Sequence, residues 1–172
     1  MQHQKTREPS VTALNAGELR RTLGSFATGV AVATTLDSEG IPRGFTVSSF
    51  TSVSLDPPLV LVCVDKTASC YPAFAGTKHF GINILCEEQQ HLSRAFASKS
   101  ADKFADLPWV SGVTGSPIFS DSIAWLDCEL HDRVEAGDHL IVIGKVLSFG
   151  HSPAKRPLGY HRGSYIAFGL EG

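Results

Sequence analysis

The chain has 172 residues, with 15 Lys and Arg against 17 Asp and Glu and a formal charge of −2, a length that suits one domain burying about two thirds of its unfolded surface. No basic cluster exceeds Arg20-Arg21 or Lys155-Arg156, so nucleic acid is not an expected partner. Apolar runs stop near six residues, far below the ~20 that span a bilayer, and the polar start lacks the hydrophobic centre of a secretory signal, so no membrane segment and a cytoplasmic location are expected.

Residues 1–14 read as a flexible tail and 15–172 as a single domain. Asn15-Ala-Gly-Glu18 has the form of a capping box, and Leu19, Leu23 and Phe26 then recur at helical spacing, which predicts a helix over 16–27 ended by Gly29. Residues 30–36 read as the first strand, turning at Asp37-Ser-Glu-Gly40. Next comes the most distinctive stretch, 44–58, read as one strand-like segment. Its hydroxyls (Thr46, Ser48, Ser49, Thr51, Ser52, Ser54) interleave with Phe45, Val47, Phe50, Val53 and Leu55. Short hydroxyls beside backbone N–H groups suit a flat polar ligand held by neutral hydrogen bonds; read locally, the same stretch is a Ser/Thr-rich strand of an ordinary barrel.

Residues 59–64 and 80–85 are short apolar runs expected as central strands, with a short helix over 69–76 between them. A second helix is predicted over 87–98, with Leu92 and Phe96 four apart, acidic residues in its first turn and Arg94 and Lys99 toward its end, the order its dipole favours. Four Gly and Pro residues make 106–122 a mostly irregular connection. Residues 124–134 and 139–149 form a hairpin around Glu135-Ala-Gly-Asp138, and 164–168 completes about seven strands, enough to close a barrel.

Cys63, Cys70, Cys86 and Cys128 contain no C-x-x-C pair, and the seven histidines show no metal-ligand spacing, so no zinc or redox-pair chemistry is readable. Cys63, Cys86 and Cys128 sit among apolar residues and are expected to behave as small buried hydrophobes. A Cys–His site with His139 as base is not asked for by any spacing. No G-x-G-x-x-G or βαβ alternation appears, so a dinucleotide would have to bind without a Rossmann domain.

The wording of 44–59 resembles the segment G-x-T-x-[NS]-S-x-x-S-x-S-x-x-P-P-L of the short-chain flavin reductase family, the reductase components of two-component flavin monooxygenases. The resemblance continues, in the family's order, through Phe26-Ala-Thr-Gly-Val-Ala-Val-Ala-Thr34, Phe80-Gly-Ile-Asn-Ile-Leu85, Phe96-Ala97, Lys103-Phe104, Gly115-Ser-Pro117, Gly137-Asp-His139 and Pro157-Leu-Gly-Tyr-His-Arg-Gly163, covering roughly 18–168. It implies a mainly β fold, a split β-barrel of about six or seven antiparallel strands of Greek-key type with a few short flanking helices. It also implies a homodimer that binds flavin at its interface.

By the same resemblance, Thr46, Val47, Ser48 and Ser49 contact the isoalloxazine edge; many members carry Asn where this chain has Ser48. Ser52, Ser54, Cys63, Val64, Asp65 and Ser69 match positions near the ribityl and phosphate groups, and Lys103 and Phe104 offset phosphate charge and pack on the cofactor. His139 is implied to orient the nicotinamide, with Tyr160, His161, Arg162 and Gly163 as the second nicotinamide-side segment, Arg162 reaching pyrophosphate. On local sequence alone, Gly137-Asp138 is a turn before a strand, and 160–163 a polar turn before the last strand.

The implied activity is an NAD(P)H:flavin oxidoreductase that reduces FMN or FAD and releases it to a partner monooxygenase. Alternatives are a reductase that keeps its flavin and reduces a ferric chelate or a corrinoid, and a non-catalytic flavin-binding module. A lipocalin-like carrier is the remaining alternative, and the hydroxyl-rich strand argues against its greasy cavity.

Overall fold

The computed structural model describes residues 14–99, 103–105 and 107–169, so the tail expected over 1–14 lies outside the described residues except for Leu14. Asn15 caps helix α1 (Ala16–Leu23), its Oδ1 accepting from Gly17 N at 2.9 Å and Glu18 N at 3.1 Å. The helix stops four residues earlier than its apolar spacing predicts. Gly24, Ser25 and Phe26 donate to Arg20 O, Thr22 O and Leu23 O in tightening turns, because Thr28 and Gly29 are drawn into a short strand.

The strands, in chain order, are β1 (Thr28–Gly29), β2 (Ala31–Leu36), β3 (Pro42–Val47), β4 (Thr51–Leu55), β5 (Pro58–Asp65), β6 (His79–Ile84), β7 (Val110–Ser111), β8 (Pro117–Ile118), β9 (Ala124–Ala136), β10 (His139–His151), β11 (Leu158–His161) and β12 (Ser164–Ala167). Helix α2 (Tyr71–Gly76) follows β5, and α3 (Gln90–Ala97) follows a 3-10 turn at Glu87–Gln89. The last helix therefore starts in the tighter form. Among the described residues no helix is long and apolar enough to cross a membrane.

One antiparallel seven-stranded sheet runs in the order β3-β2-β6-β9-β10-β5-β4, and a three-stranded sheet, β1-β11-β12, packs beside it. The sheet curls into a split β-barrel whose edges, β3 and β4, are consecutive in the chain and joined by Ser48, Ser49 and Phe50. Three hairpins and the non-sequential neighbours β2–β6, β6–β9 and β10–β5 give it Greek-key-like crossovers. The stretch expected as one hydroxyl-rich strand is thus two strands on opposite edges. Its period-two pattern breaks where Ser48 and Ser49 stand side by side, and the chain crosses the split there. The expected final strand likewise lies outside the barrel, and of the polar turn read over 160–163 the first half belongs to β11, with Arg162 and Gly163 turning.

The interior follows alternation on β5 and β10, whereas β2 and β6 are buried at consecutive positions. Val60, Val62 and Val64 of β5 point inward with Leu140 and Val142 of β10, against Phe80, Ile82, Cys128 and Phe74. Gly144 leaves room for the Phe80 ring, which a Cβ would strike. A second cluster of Val30, Val32, Leu85, Leu92, Phe96, Phe119 and Leu158 glues α3 and the small sheet to the barrel. Buried Asn83 ties the 107–122 connection down: its Oδ1 accepts from Phe119 N at 2.7 Å and its Nδ2 donates to Val32 O at 3.3 Å. That connection holds two two-residue strands, β7 and β8, where the sequence reads as irregular.

Candidate functional site

The crossing of the split opens a cavity of about 560 Å³ lined by Ser48, Ser49 and Phe50 from the joining segment, Thr51 from β4, Leu61 and Cys63 from β5, and the 26–31 segment. Ser49 is half-buried, and its Oγ accepts from Cys63 N at 3.0 Å, which leaves its own proton for another acceptor. Ser48 is exposed on the rim. Cys63 is half-exposed, contrary to the expectation of a buried thiol. The β5 pleat turns it outward while its neighbours Val62 and Val64 face the core; the buried thiols are those of Cys70, Cys86 and Cys128.

Five of the expected contact residues stand differently. Thr46 donates its hydroxyl to Ser93 O of α3 at 2.6 Å, and the Val47 and Val64 side chains are core. For these two only the backbone is free to meet a ligand. Ser52 and Ser54 lie on β4 opposite Val60 and Leu59, around a bulge, and line neither this cavity nor the next.

A second, smaller cavity of about 250 Å³ is lined by Arg43 and Gly44 of β3, Ser69 and Cys70 ahead of α2, and Lys99, Lys103 and Phe104. Ser69, Lys103 and Phe104 therefore line one cavity. Lys103 Nζ donates to Phe96 O at 2.8 Å, and burial holds its pKa below the usual lysine value, partly offset by the neighbouring Cys70. Phe104 packs edge-on against Phe96 with ring centroids 5.0 Å apart, so it belongs to the second core cluster as well as to the cavity wall. Arg43 and Lys99 are cations that motif reading missed; nothing local to them signals the cavity, although Arg43 immediately precedes the hydroxyl stretch. Gly44 lines the small cavity and Ser48 the large one. Four residues at about 3.3 Å each separate them, roughly 13 Å along one extended segment.

His139 opens β10 directly opposite Asp65. Its Nδ1 lies 2.7 Å from Asp138 Oδ1, and that hydrogen bond holds the Asp138 carboxyl below its ordinary pKa. An ionised carboxylate only accepts, so the pair fixes the proton on Nδ1 and leaves Nε2 as an acceptor in the neutral ring. Asp65 is capped locally, accepting from Thr67 N and Thr67 Oγ1 at 2.7 Å each, which lowers its pKa. Two residues separate Asp65 from Cys63 on the same face of β5, so the outer face of this strand pair runs from the large cavity to His139.

Tyr160 pairs with Thr28, which lines the large cavity, and packs edge-on against Tyr165 at 5.3 Å. Tyr165 in turn donates to Ser93 Oγ of α3 at 2.9 Å. His161 ends β11, half-buried, and Arg162 and Gly163 form the two-residue turn with φ of 48° and 82°. Arg162 faces α1, its amide donating to Gly24 O at 2.9 Å and its guanidinium to Ser25 Oγ at 3.3 Å. Within one chain, Tyr160 reaches the large cavity through β1, whereas Arg162 turns toward the helix.

Residues 23–169 match the model of the flavin reductase like domain. The stachydrine N-demethylase reductase subunit Stc3 of Rhizobium meliloti (strain 1021) is 49% identical over 149 residues, 87% of this chain and 64% of that protein. The reductase component of the flavin-dependent trigonelline monooxygenase of Acinetobacter baylyi is 51% identical over 149 residues, 87% of this chain and 48% of that protein. The chain thus spans about half of one of these relatives and just under two thirds of the other. The flavin-dependent monooxygenase reductase subunit HsaB of Rhodococcus jostii is 41% identical over 89% of this chain and 78% of that subunit. Among solved structures, the NADH:FAD oxidoreductase SgcE6 of Streptomyces globisporus C-1027, in complex with NAD and FAD fragments, superimposes with a TM-score of 0.85 at 38% identity, covering 91% of this chain and 94% of that one. With the family model matched from the end of α1 to the end of the small sheet, and the same split barrel in a solved reductase, this chain belongs to the flavin reductase like domain family.

Proposed function

We propose that this chain is an NAD(P)H:flavin oxidoreductase that reduces FMN or FAD and supplies it to a partner flavin-dependent monooxygenase in the cytoplasm. The observation that carries this reading is the single extended segment from Gly44 to Ser48, which joins a cationic cavity to a hydroxyl-lined one. Such a pair fits a ligand with a flat, neutral, hydrogen-bonding head and an anionic tail, which is the form of a flavin nucleotide. When bound, the nicotinamide and flavin rings supply the hydride donor and acceptor between them.

The chain's own residues then bind and orient. The Ser49 hydroxyl proton and the Ser48 side chain and backbone serve the head. Lys103 and Lys99 offset phosphate charge, with Ser69 beside them. His139, locked by Asp138, presents Nε2 as an acceptor suited to a carboxamide N–H. Tyr160, the strand partner of the cavity-lining Thr28, and His161 after it serve the nicotinamide side. The Val47, Val64, Ser52 and Ser54 side chains have no part in this version of the site.

The homodimer belongs to the same proposal. The cavity is an open groove rimmed by Phe26, 78% exposed, and Leu55 at the far end of β4 is 94% exposed, so apolar surface remains for a second copy to cover. The test is the initial rate of NADH and NADPH oxidation with and without added FMN or FAD. A rate that rises and saturates with flavin is expected. Flavin binding without consumption of either dinucleotide would overturn the reductase reading in favour of a binding module.

A further inference from the structure

Beside the large cavity lies a cleft of about 590 Å³ lined by Arg20, Arg21, Thr22, Gly24, Ser25 and the Arg162-Gly163 turn. Three arginines from two elements far apart in sequence line it, and the Arg162 guanidinium donates to Ser25 Oγ at its wall. Among the described residues, no carboxylate lies within ion-pair distance of Arg20 or Arg162, and Arg21 has only Glu18 at 3.9 Å, both side chains largely exposed. Capping does not account for the cluster. The carbonyls ending α1 already have donors: Arg20 O takes Gly24 N, Arg21 O takes Ser25 Oγ, Thr22 O takes Ser25 N, Leu23 O takes Phe26 N and Gly24 O takes Arg162 N.

Arg162 is itself unusual. It is the one non-glycine with positive φ among the described residues, at a turn position where Asn, Asp or Gly is the ordinary choice. The backbone is held in that conformation by the bond to Gly24 O, and the side chain is thereby turned into the cleft. A set of like charges gathered without counter-ions is favourable only when an anion joins it.

The cleft adjoins the proposed active site along the chain. Gly24 and Ser25 line the cleft, and the next residues, Phe26 to Ala31, line the hydroxyl cavity. From Ser25 to Thr28 the chain spans at most roughly 10 Å. A ligand with its ring beside Ser48 and Ser49 can therefore reach the arginines with a phosphate. We propose that Arg20 and Arg21 of α1 join Arg162 in a phosphate-binding site for the nicotinamide dinucleotide, on either its pyrophosphate or a 2′-phosphate. This rests on the reductase reading and adds α1 to its dinucleotide site.

The test compares wild type with Arg20→Gln/Arg21→Gln and, separately, with Arg162→Asn, chosen because Asn tolerates the left-handed backbone of the turn. Michaelis constants are measured for NADH and NADPH at fixed flavin, and Kd values for ADP and 2′,5′-ADP by calorimetry. Loss of charged contacts predicts a rise of roughly ten- to hundredfold. A rise confined to NADPH and 2′,5′-ADP places the 2′-phosphate in the cleft; an equal rise for both dinucleotides places the pyrophosphate there. Unchanged KM and Kd in both variants, with wild type still oxidising either dinucleotide, would overturn the inference and leave the reductase reading standing. If wild type oxidises neither dinucleotide, that reading fails, and the calorimetric Kd values still decide whether the cleft holds phosphate.

Discussion

Lys103 combines two demands on one ammonium group. Its bond to Phe96 O fixes it at the cavity wall, and burial lowers its pKa below 10.5. The sign follows from linkage. Between the lowered folded pKa and 10.5 the unfolded chain carries the proton and the folded one does not, so the stability of the flavin-free protein rises with pH there. Over the same alkaline range the cavity loses its charge, so affinity for FMN is expected to fall as pH rises toward 10.5. Lys103→Met should weaken FMN binding at neutral pH and flatten that alkaline limb, read by fluorescence titration; an unchanged Kd would remove Lys103 from the site.

His139 is expected to act on the dinucleotide side. His139→Ala should raise KM for NADH by about tenfold, the scale of one or two lost hydrogen bonds, while leaving the flavin Kd within about twofold. An unchanged NADH KM and turnover would sink that role. Cys63 offers a chemical probe of the same cavity. Burial raises the thiols of Cys70 and Cys86 and pushes Cys128 up to about 12, so native protein should react with a thiol reagent at Cys63 alone, and more slowly when FMN is present. Labelling that ignores flavin would mean that the flavin lies elsewhere.

At the scale of elements, the packing of α3 on the barrel positions the cationic cavity. Gly44 of β3 makes that contact possible, since a Cβ there would come within 2.9 Å of both Ala33 O and the Phe96 ring. Gly44→Ala should cost about 1–3 kcal/mol, a fall in Tm of several degrees by calorimetry, together with weaker FMN binding as Phe96 and its partner Lys103 shift. A full-stability variant with unchanged FMN binding would contradict this. Gly44 is legible in the sequence only as the start of a hydroxyl-rich run. Why it must lack a side chain is decided by the β2 carbonyl of Ala33 and by Phe96 of α3, both outside that run.

At the scale of the whole molecule, the split in the barrel leaves a groove with exposed Phe26 at its rim, and Leu23 and Phe149 are 65% and 71% exposed. Sedimentation equilibrium is expected to give twice the 18.4 kDa chain mass, and a value of one chain mass at micromolar concentration would refute the dimer.

Local pattern by itself determined most of the elements, because apolar periodicity, an Asn cap and Gly-Asp turn chemistry act within a few residues: α1 begins at its Asn15 cap, and β5, β6 and the β9–β10 hairpin lie within a few residues of where their patterns put them. The ordered motifs likewise carried the family. What only the tertiary structure decided was partnership. The run from Gly44 to Pro58 divides between two opposite sheet edges, Thr46 spends its hydroxyl on α3, Cys63 faces out while Val64 faces in, and Arg20 and Arg162 line one cleft. Each depends on which strand becomes whose neighbour, a choice settled by the burial of the whole barrel core rather than by any local sequence preference.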